Sequence, residues 1–278
     1  MRKHIFARSA LISAGLVSAA LVFSATAHAQ NPLPDFSGIW DAGDLDPPRV
    51  GRPGVAEHPD YQARGTRNEN RERQTPIPPI ADLTDPILLP WAREELRDIV
   101  ERLIAGEIIP QARSQCTPMG LPVLLIDEAG PRIIVQAQDR VVIINEELPE
   151  VRHIYLNVPH SENVVPDYYG ESVGHYEGDI LVVDTIGIST ETWVDDFLTP
   201  HTEELHVVER YRLVGDDVLE IEFFVEDPGT FTEPWGGIIL AERRPPGEDL
   251  MEIRCSENNF DVFSGETLPM PIATQVDF

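Results

Sequence analysis

Two stretches of this chain concentrate groups that can move protons. In Gly174-His175-Tyr176-Glu177-Gly178-Asp179-Ile180-Leu181-Val182-Val183-Asp184-Thr185, His175 and Glu177 stand two apart, so on a strand they share one face. Gly178-Asp179 turns the chain. Asp184 then follows Ile180 and Val182 on one side of the next strand, with Leu181, Val183 and Thr185 on the other. Both sides are apolar, so a strand covered on both faces leaves Asp184 partly buried. A buried carboxylate must be paired, hydrogen-bonded or protonated, and one with a raised pKa suits general acid–base work. His175, Glu177 and Asp184 are therefore the catalytic candidates. The structural alternative for Asp184 is a carboxylate that caps a turn or pairs with an arginine.

The second stretch is His201-Thr202-Glu203-Glu204-Leu205-His206-Val207-Val208-Glu209-Arg210-Tyr211. Two histidines and three glutamates within nine residues would attract a divalent cation. The spacing matches no zinc signature, because His201 and His206 have opposite parity on a strand. A metal site at His201, Glu204 and His206 would need a bend between them. Alternation puts His206, Val208 and Arg210 on one face and Leu205, Val207, Glu209 and Tyr211 on the other, with one of Glu209 and Arg210 pairing across the sheet.

A third set lies in Val151-Arg152-His153-Ile154-Tyr155. His153 and Tyr155 share a face, as do Arg152 and Ile154. An inward His153 and Tyr155 in a barrel mouth would hydrogen-bond a ligand carbonyl or phenol. Arg152, His153, Tyr155 and Arg210 are the ligand-binding candidates. His160 follows Pro159 and reads as a solvent-facing loop residue. Several chemistries are argued down. The chain holds no Gly-x-Ser-x-Gly elbow, no Gly-rich phosphate loop or dinucleotide fingerprint, no Cys-x-x-Cys and no His-Glu-x-x-His.

The elements that position these groups are mostly strands. Short runs rich in Val, Ile, Leu, Phe and Tyr predict strands over Ile133–Ala137, Arg140–Asn145, Val151–Asn157, Asp179–Ile186, Leu205–Val214, Val218–Glu226, Gly237–Glu242 and Leu250–Cys255. Gly178-Asp179 and Gly215-Asp216-Asp217 are hairpin turns. No long helix separates the runs from Val123 onward, so the sheet is expected to be antiparallel. Eight or more consecutive strands close into a barrel or fold into a sandwich, because open edges invite aggregation. One amphipathic helix is expected near 90–105, opened by Pro90 and carrying Trp91, Leu96, Ile99, Val100, Leu103 and Ile104 at helical spacing. Residues 41–90 hold nine prolines and six arginines and read as an irregular arm after a first strand at Asp35–Trp40.

The start of the chain reads as an export signal. Arg2, Lys3 and Arg8 form a basic segment, Ala10–Phe23 an uncharged one, and Ala27-His28-Ala29 a cleavage site. Residues 1–29 would be removed, and 30–278 would fold as one unit: an arm over 30–90, then a helix and β domain over 91–278. Loss of the leader moves the formal charge from −27 to −30. Such a surface disfavours nucleic acid and anionic lipid, and no later segment is long and apolar enough to cross a bilayer. Cys116 and Cys255, the only cysteines, would form a disulfide in an oxidising compartment. Two buried thiols are the alternative.

Gly38-Ile39-Trp40, near the start of a β-rich chain, resembles the Gly-x-Trp motif of lipocalins, which implies a small-molecule-binding barrel. The two long stretches above, with Asp227-Pro228, Pro234-Trp235 and Cys255-Ser256-Glu257-Asn258-Asn259, resemble a broad group of bacterial exported β-rich proteins. That resemblance implies a shared fold and supplies no activity. Members often carry Trp where this chain has Tyr176 and His where it has Glu171, so no role tied to those positions carries over.

The expected molecule is an antiparallel, lipocalin-like β-barrel or a related sandwich, periplasmic or secreted. It would bind a small, partly apolar molecule without a cofactor. A cofactor-free lyase, cyclase or hydrolase using the same cavity is the alternative, and a divalent-metal site at His201 and His206 a second.

Overall fold

Alternation is cleanest in strand β9 (Val218–Glu226), where Leu219, Ile221, Phe223 and Val225 are buried and the residues between them turn outward. The computed structural model describes residues 33–41, 45–50, 82–105, 107, 109–126, 130–146 and 150–251. The same inward–outward alternation builds β1 (Gly38–Asp41), β3 (Arg132–Gln136), β4 (Arg140–Asn145), β5 (Glu150–Leu156), β6 (Glu171–Glu177), β7 (Ile180–Ile186), β8 (His206–Leu213) and β10 (Trp235–Arg243). These strands, with β9, close into a nine-stranded barrel, because β1 pairs both β3 and β10. A tenth strand, β2 (Leu45–Val50), continues along the edge of β10 that β1 occupies.

The barrel is mixed rather than wholly antiparallel. β5 and β6 run parallel, with Ile154 opposite Ser172, and the other eight pairings of the ring are antiparallel. Strict up-and-down alternation cannot close a ring with an odd number of strands, so one parallel pair is obligatory. The crossover of about a dozen residues that such a pair needs is coil, residues 157–170. A helix was therefore not required to reverse the chain.

The two ends of the barrel differ. At one end lie tight connections at residues 137–139, 178–179 and 214–217. At the other lie the long connections 187–205 and 227–234, together with the helical segment. Helix α1 (Pro90–Ile104) buries Ala92, Leu96, Ile99 and Val100, whereas Trp91 and Ile104 stay exposed. Its start is tied to the 227–234 connection by Leu89 N–H to the Thr230 carbonyl (2.8 Å) and the Trp91 indole to the Gly229 carbonyl (2.5 Å). Two single turns follow, α2 (Ala112–Gln115) and α3 (Val123–Ile126). Every side chain of α3 is buried in the apolar cluster that also lines the barrel interior.

Other expectations need correction. Val123 opens a buried helical turn rather than the first of the ribbons, since four consecutive apolar residues suit either. The Pro-rich arm is not wholly irregular. β2 holds Pro47 and Pro48 at a sheet edge, where a missing N–H is tolerated, and Leu88 bridges to Phe231. β6 is a full strand that the apolar runs did not mark. Leu250 and Met251 lie outside any strand. Residues 1–29, 51–81 and 252–278 fall outside the described residues, and with them the expected leader, most of the arm and Cys255. Among the described residues no helix is long and apolar enough to cross a membrane.

Candidate functional site

Four inward side chains stand directly opposite one another on neighbouring strands: Arg243, Trp40, Arg132 and Asn145. Gly38 has a φ of +139°, and a Cβ there would lie 2.6 Å from Arg243 Nη1. The glycine thus leaves room for the Arg243 guanidinium, which sits 4.1 Å from the Trp40 ring centroid and donates to the Ser37 carbonyl at 2.7 Å. Trp40 itself is fully buried and donates to the Phe36 carbonyl at 2.8 Å.

On the other side of Trp40 the row becomes polar without being satisfied. Arg132 is 3% exposed and Asn145 2%. Arg132 Nε and both polar atoms of the Asn145 amide lack a hydrogen-bond partner. Elsewhere among the described residues such orphaned atoms fall singly, at Arg93 Nε, Tyr169 Oη and Trp235 Nε1. Among the described residues no carboxylate forms an ion pair with Arg132. Burial pushes its guanidinium below the ordinary value, with the Glu209 carboxylate opposing that shift.

Next to this pair lies a polar group that is satisfied. The Arg152 fork donates to Glu209 at 3.0 and 2.5 Å, to Ser172 Oγ at 3.1 and 3.0 Å, and to Thr185 Oγ1 at 2.8 Å. The Tyr211 hydroxyl donates to Glu209 at 2.6 Å. All five residues are buried and point into the barrel. Burial pushes the Arg152 guanidinium down, and the adjacent Glu209 charge more than offsets it, holding the group above its ordinary value. Burial and the same carboxylate drive the Tyr211 phenol far up, so it stays a neutral donor.

The outer face carries a different arrangement. A chain of hydrogen-bonded groups runs from Glu171 to His160 (3.0 Å), on to Asp184 (2.8 Å) and then to His206 (3.1 Å), with Glu226 3.7 Å beyond. Ser161 donates to Glu171 through its N–H and its hydroxyl, and these bonds hold that carboxyl below its usual range. His160 is thus not a free loop residue; it pins the 157–170 crossover to the sheet. Among the described residues no group of three or more His, Cys, Asp or Glu side chains is arranged to hold a metal ion. Each carboxylate here lies beside an imidazole instead of converging with the others on one point.

No protein-family model, curated protein or solved structure matches this chain. Its chemistry must be read from its own residues.

The structure places the sequence-derived candidates as follows. His175, Glu177 and Arg210 meet on the outer face, with His175 3.3 Å and Arg210 2.9 Å from Glu177. Arg210 and His175 hold the Glu177 carboxyl below its ordinary value. Asp184 is on the same outer face but turns to His160 and His206 instead. His201 and His206 are not brought together. His201 is buried in the 187–205 connection, bonded to Thr192 Oγ1 (3.0 Å) and the Thr202 carbonyl (2.9 Å), whereas Glu204 is exposed. His153 and Tyr155, expected inward, project outward and stack at 6.3 Å. Arg152 takes the inward face because Ile154 and Leu156 share its parity and enter the core. The reading from sequence missed Arg132, Asn145, Ser172, Thr185 and Tyr211. The available signal was parity: each of these polar residues shares a strand face with buried ones, as Asn145 does with Val141 and Ile143.

Proposed function

We propose that this chain is an exported binding protein that holds a small, partly apolar molecule inside its barrel, with the molecule's polar group at Arg132 and Asn145. One observation carries the reading. Two directly opposed inward side chains are buried with unmet hydrogen-bonding capacity, beside a cluster in which every partner is present. Buried polar groups are almost always paired, and leaving one unpaired costs about 1–3 kcal/mol. A ligand group that supplies the missing partners offsets that cost, and the apolar residues around it, Trp40, Ile134 and Ile143 among them, suit an apolar body. Export rests on the basic, apolar and small-residue pattern of residues 1–29 and places the protein in the periplasm or outside the cell.

The test is native mass spectrometry on protein isolated from its own cells. A bound small molecule, released on unfolding and absent after Arg132→Leu, supports the reading. Repeated preparations with no adduct, and no binding from a panel of apolar acids, amides and alcohols, would remove it.

A further inference from the structure

We infer that the group taken up at Arg132 and Asn145 is a carboxylate; this rests on the binding reading above and specifies its chemistry. Inside the barrel Arg152 is matched by Glu209 through a two-point contact, and Tyr211 is a neutral donor to the same carboxylate. Arg132 is left as a positive charge with no ion-pair partner among the described residues. An arginine stays protonated at any physiological pH. An unmatched buried cation in a chain of formal charge −27 runs against the trend of the molecule, which has acidic side chains to spare for a permanent partner.

Geometry narrows the choice. Arg132 and Asn145 face each other across β3 and β4 in direct register, so their side chains share one patch of the interior. Arg132 offers guanidinium donors and Asn145 Nδ2 offers another. A planar group with two acceptor oxygens and a single negative charge fits both: the guanidinium takes the two oxygens through parallel N–H bonds, and Asn145 Nδ2 donates to the remaining lone pair of one of them. A neutral carbonyl would leave the charge unmatched. A phosphate would bring more charge than one guanidinium balances. The Asn145 Oδ1 acceptor is left for a hydroxyl or amide N–H elsewhere in the ligand.

The experiment has two arms. In the first, a dansylated undecanoic acid and its methyl ester are titrated into the mature protein and probe fluorescence is followed. The acid should bind wild type about tenfold or more tightly than the ester. Arg132→Leu and Asn145→Leu should each remove most of that preference. Equal binding of acid and ester to wild type, or an acid preference that survives Arg132→Leu, would overturn this inference and leave the binding reading standing. Failure of both probes to bind would count against the binding reading itself, and this inference would fall with it. In the second arm, ligand-free Arg132→Leu and wild type are melted side by side. An arginine kept for a ligand should give a Tm that is unchanged or higher in the variant, because an apolar side chain suits the site. A large drop in Tm would assign Arg132 a structural role and overturn the inference.

Discussion

The Arg152 guanidinium and the Glu209 carboxylate meet at 2.5 Å inside the barrel, with side chains 2% and 0% exposed. They come from β5 and β8, which are not neighbours in the sheet, so the pair spans the interior. Removing one partner of a buried pair strands the other. Arg152→Ala or Glu209→Gln should therefore destabilise by about 3–5 kcal/mol in urea denaturation. The double variant Arg152→Met, Glu209→Leu should recover most of that loss. Single variants within about 1 kcal/mol of wild type would mean that the pair is hydrated.

His201 predicts a slope in stability on the acid side. Burial holds its pKa below the ordinary 6.5, against the pull of the Thr202 carbonyl and Asp227. At neutral pH the imidazole is mostly uncharged in both states. As the pH falls below the ordinary value, the unfolded chain takes a proton that the folded chain resists, so stability drops. His201→Gln should flatten this part of the profile relative to wild type. Parallel denaturation curves from pH 7 to pH 5 measure the difference; identical slopes would rule the residue out as a source.

Gly38→Ala tests the Trp40–Arg243 contact. The new Cβ meets Arg243 Nη1 at 2.6 Å in a backbone conformation that favours glycine. The loss should be about 1–3 kcal/mol, with a change in tryptophan emission as the guanidinium leaves the ring. A variant with unchanged emission and stability would show that the arginine relocates freely.

How much was legible in the sequence follows from which physical signals were local. Val218–Glu226 and Arg140–Asn145 were readable to the residue because alternation and turns are local. α1 was readable because its apolar stripe has helical spacing. The β5–β6 crossing was not, because parallel pairing depends on where residue 157–170 coil leads and on the closure of an odd ring. The direction in which the Val151–Tyr155 side chains turn was hidden for a related reason. Arg152 and His153 are both polar, and only the company of Ile154 and Leu156 decides which turns inward. Glu209 met a similar ambiguity beside Arg210: each does pair across strands, Glu209 inside with Arg152 and Arg210 outside with Glu177.

The cysteines give a covalent prediction. Cys116 lies on the turn after α2, and a bond to Cys255 would close a loop worth roughly 4–5 kcal/mol in the chain-entropy model. Alkylation of the denatured, unreduced protein should label neither cysteine, and prior reduction should expose both and lower the Tm. Full labelling without reduction would rule the bridge out.

The most direct test of the proposed binding site watches Asn145 itself. With asparagine side chains isotopically labelled and an Asn145→Leu variant used for assignment, the Asn145 amide resonances are followed by NMR as the dansylated acid is added. Binding at Asn145 predicts that they shift in step with probe fluorescence and gain protection from exchange. Unperturbed Asn145 resonances at saturating probe, with shifts confined to the outer face, would contradict it.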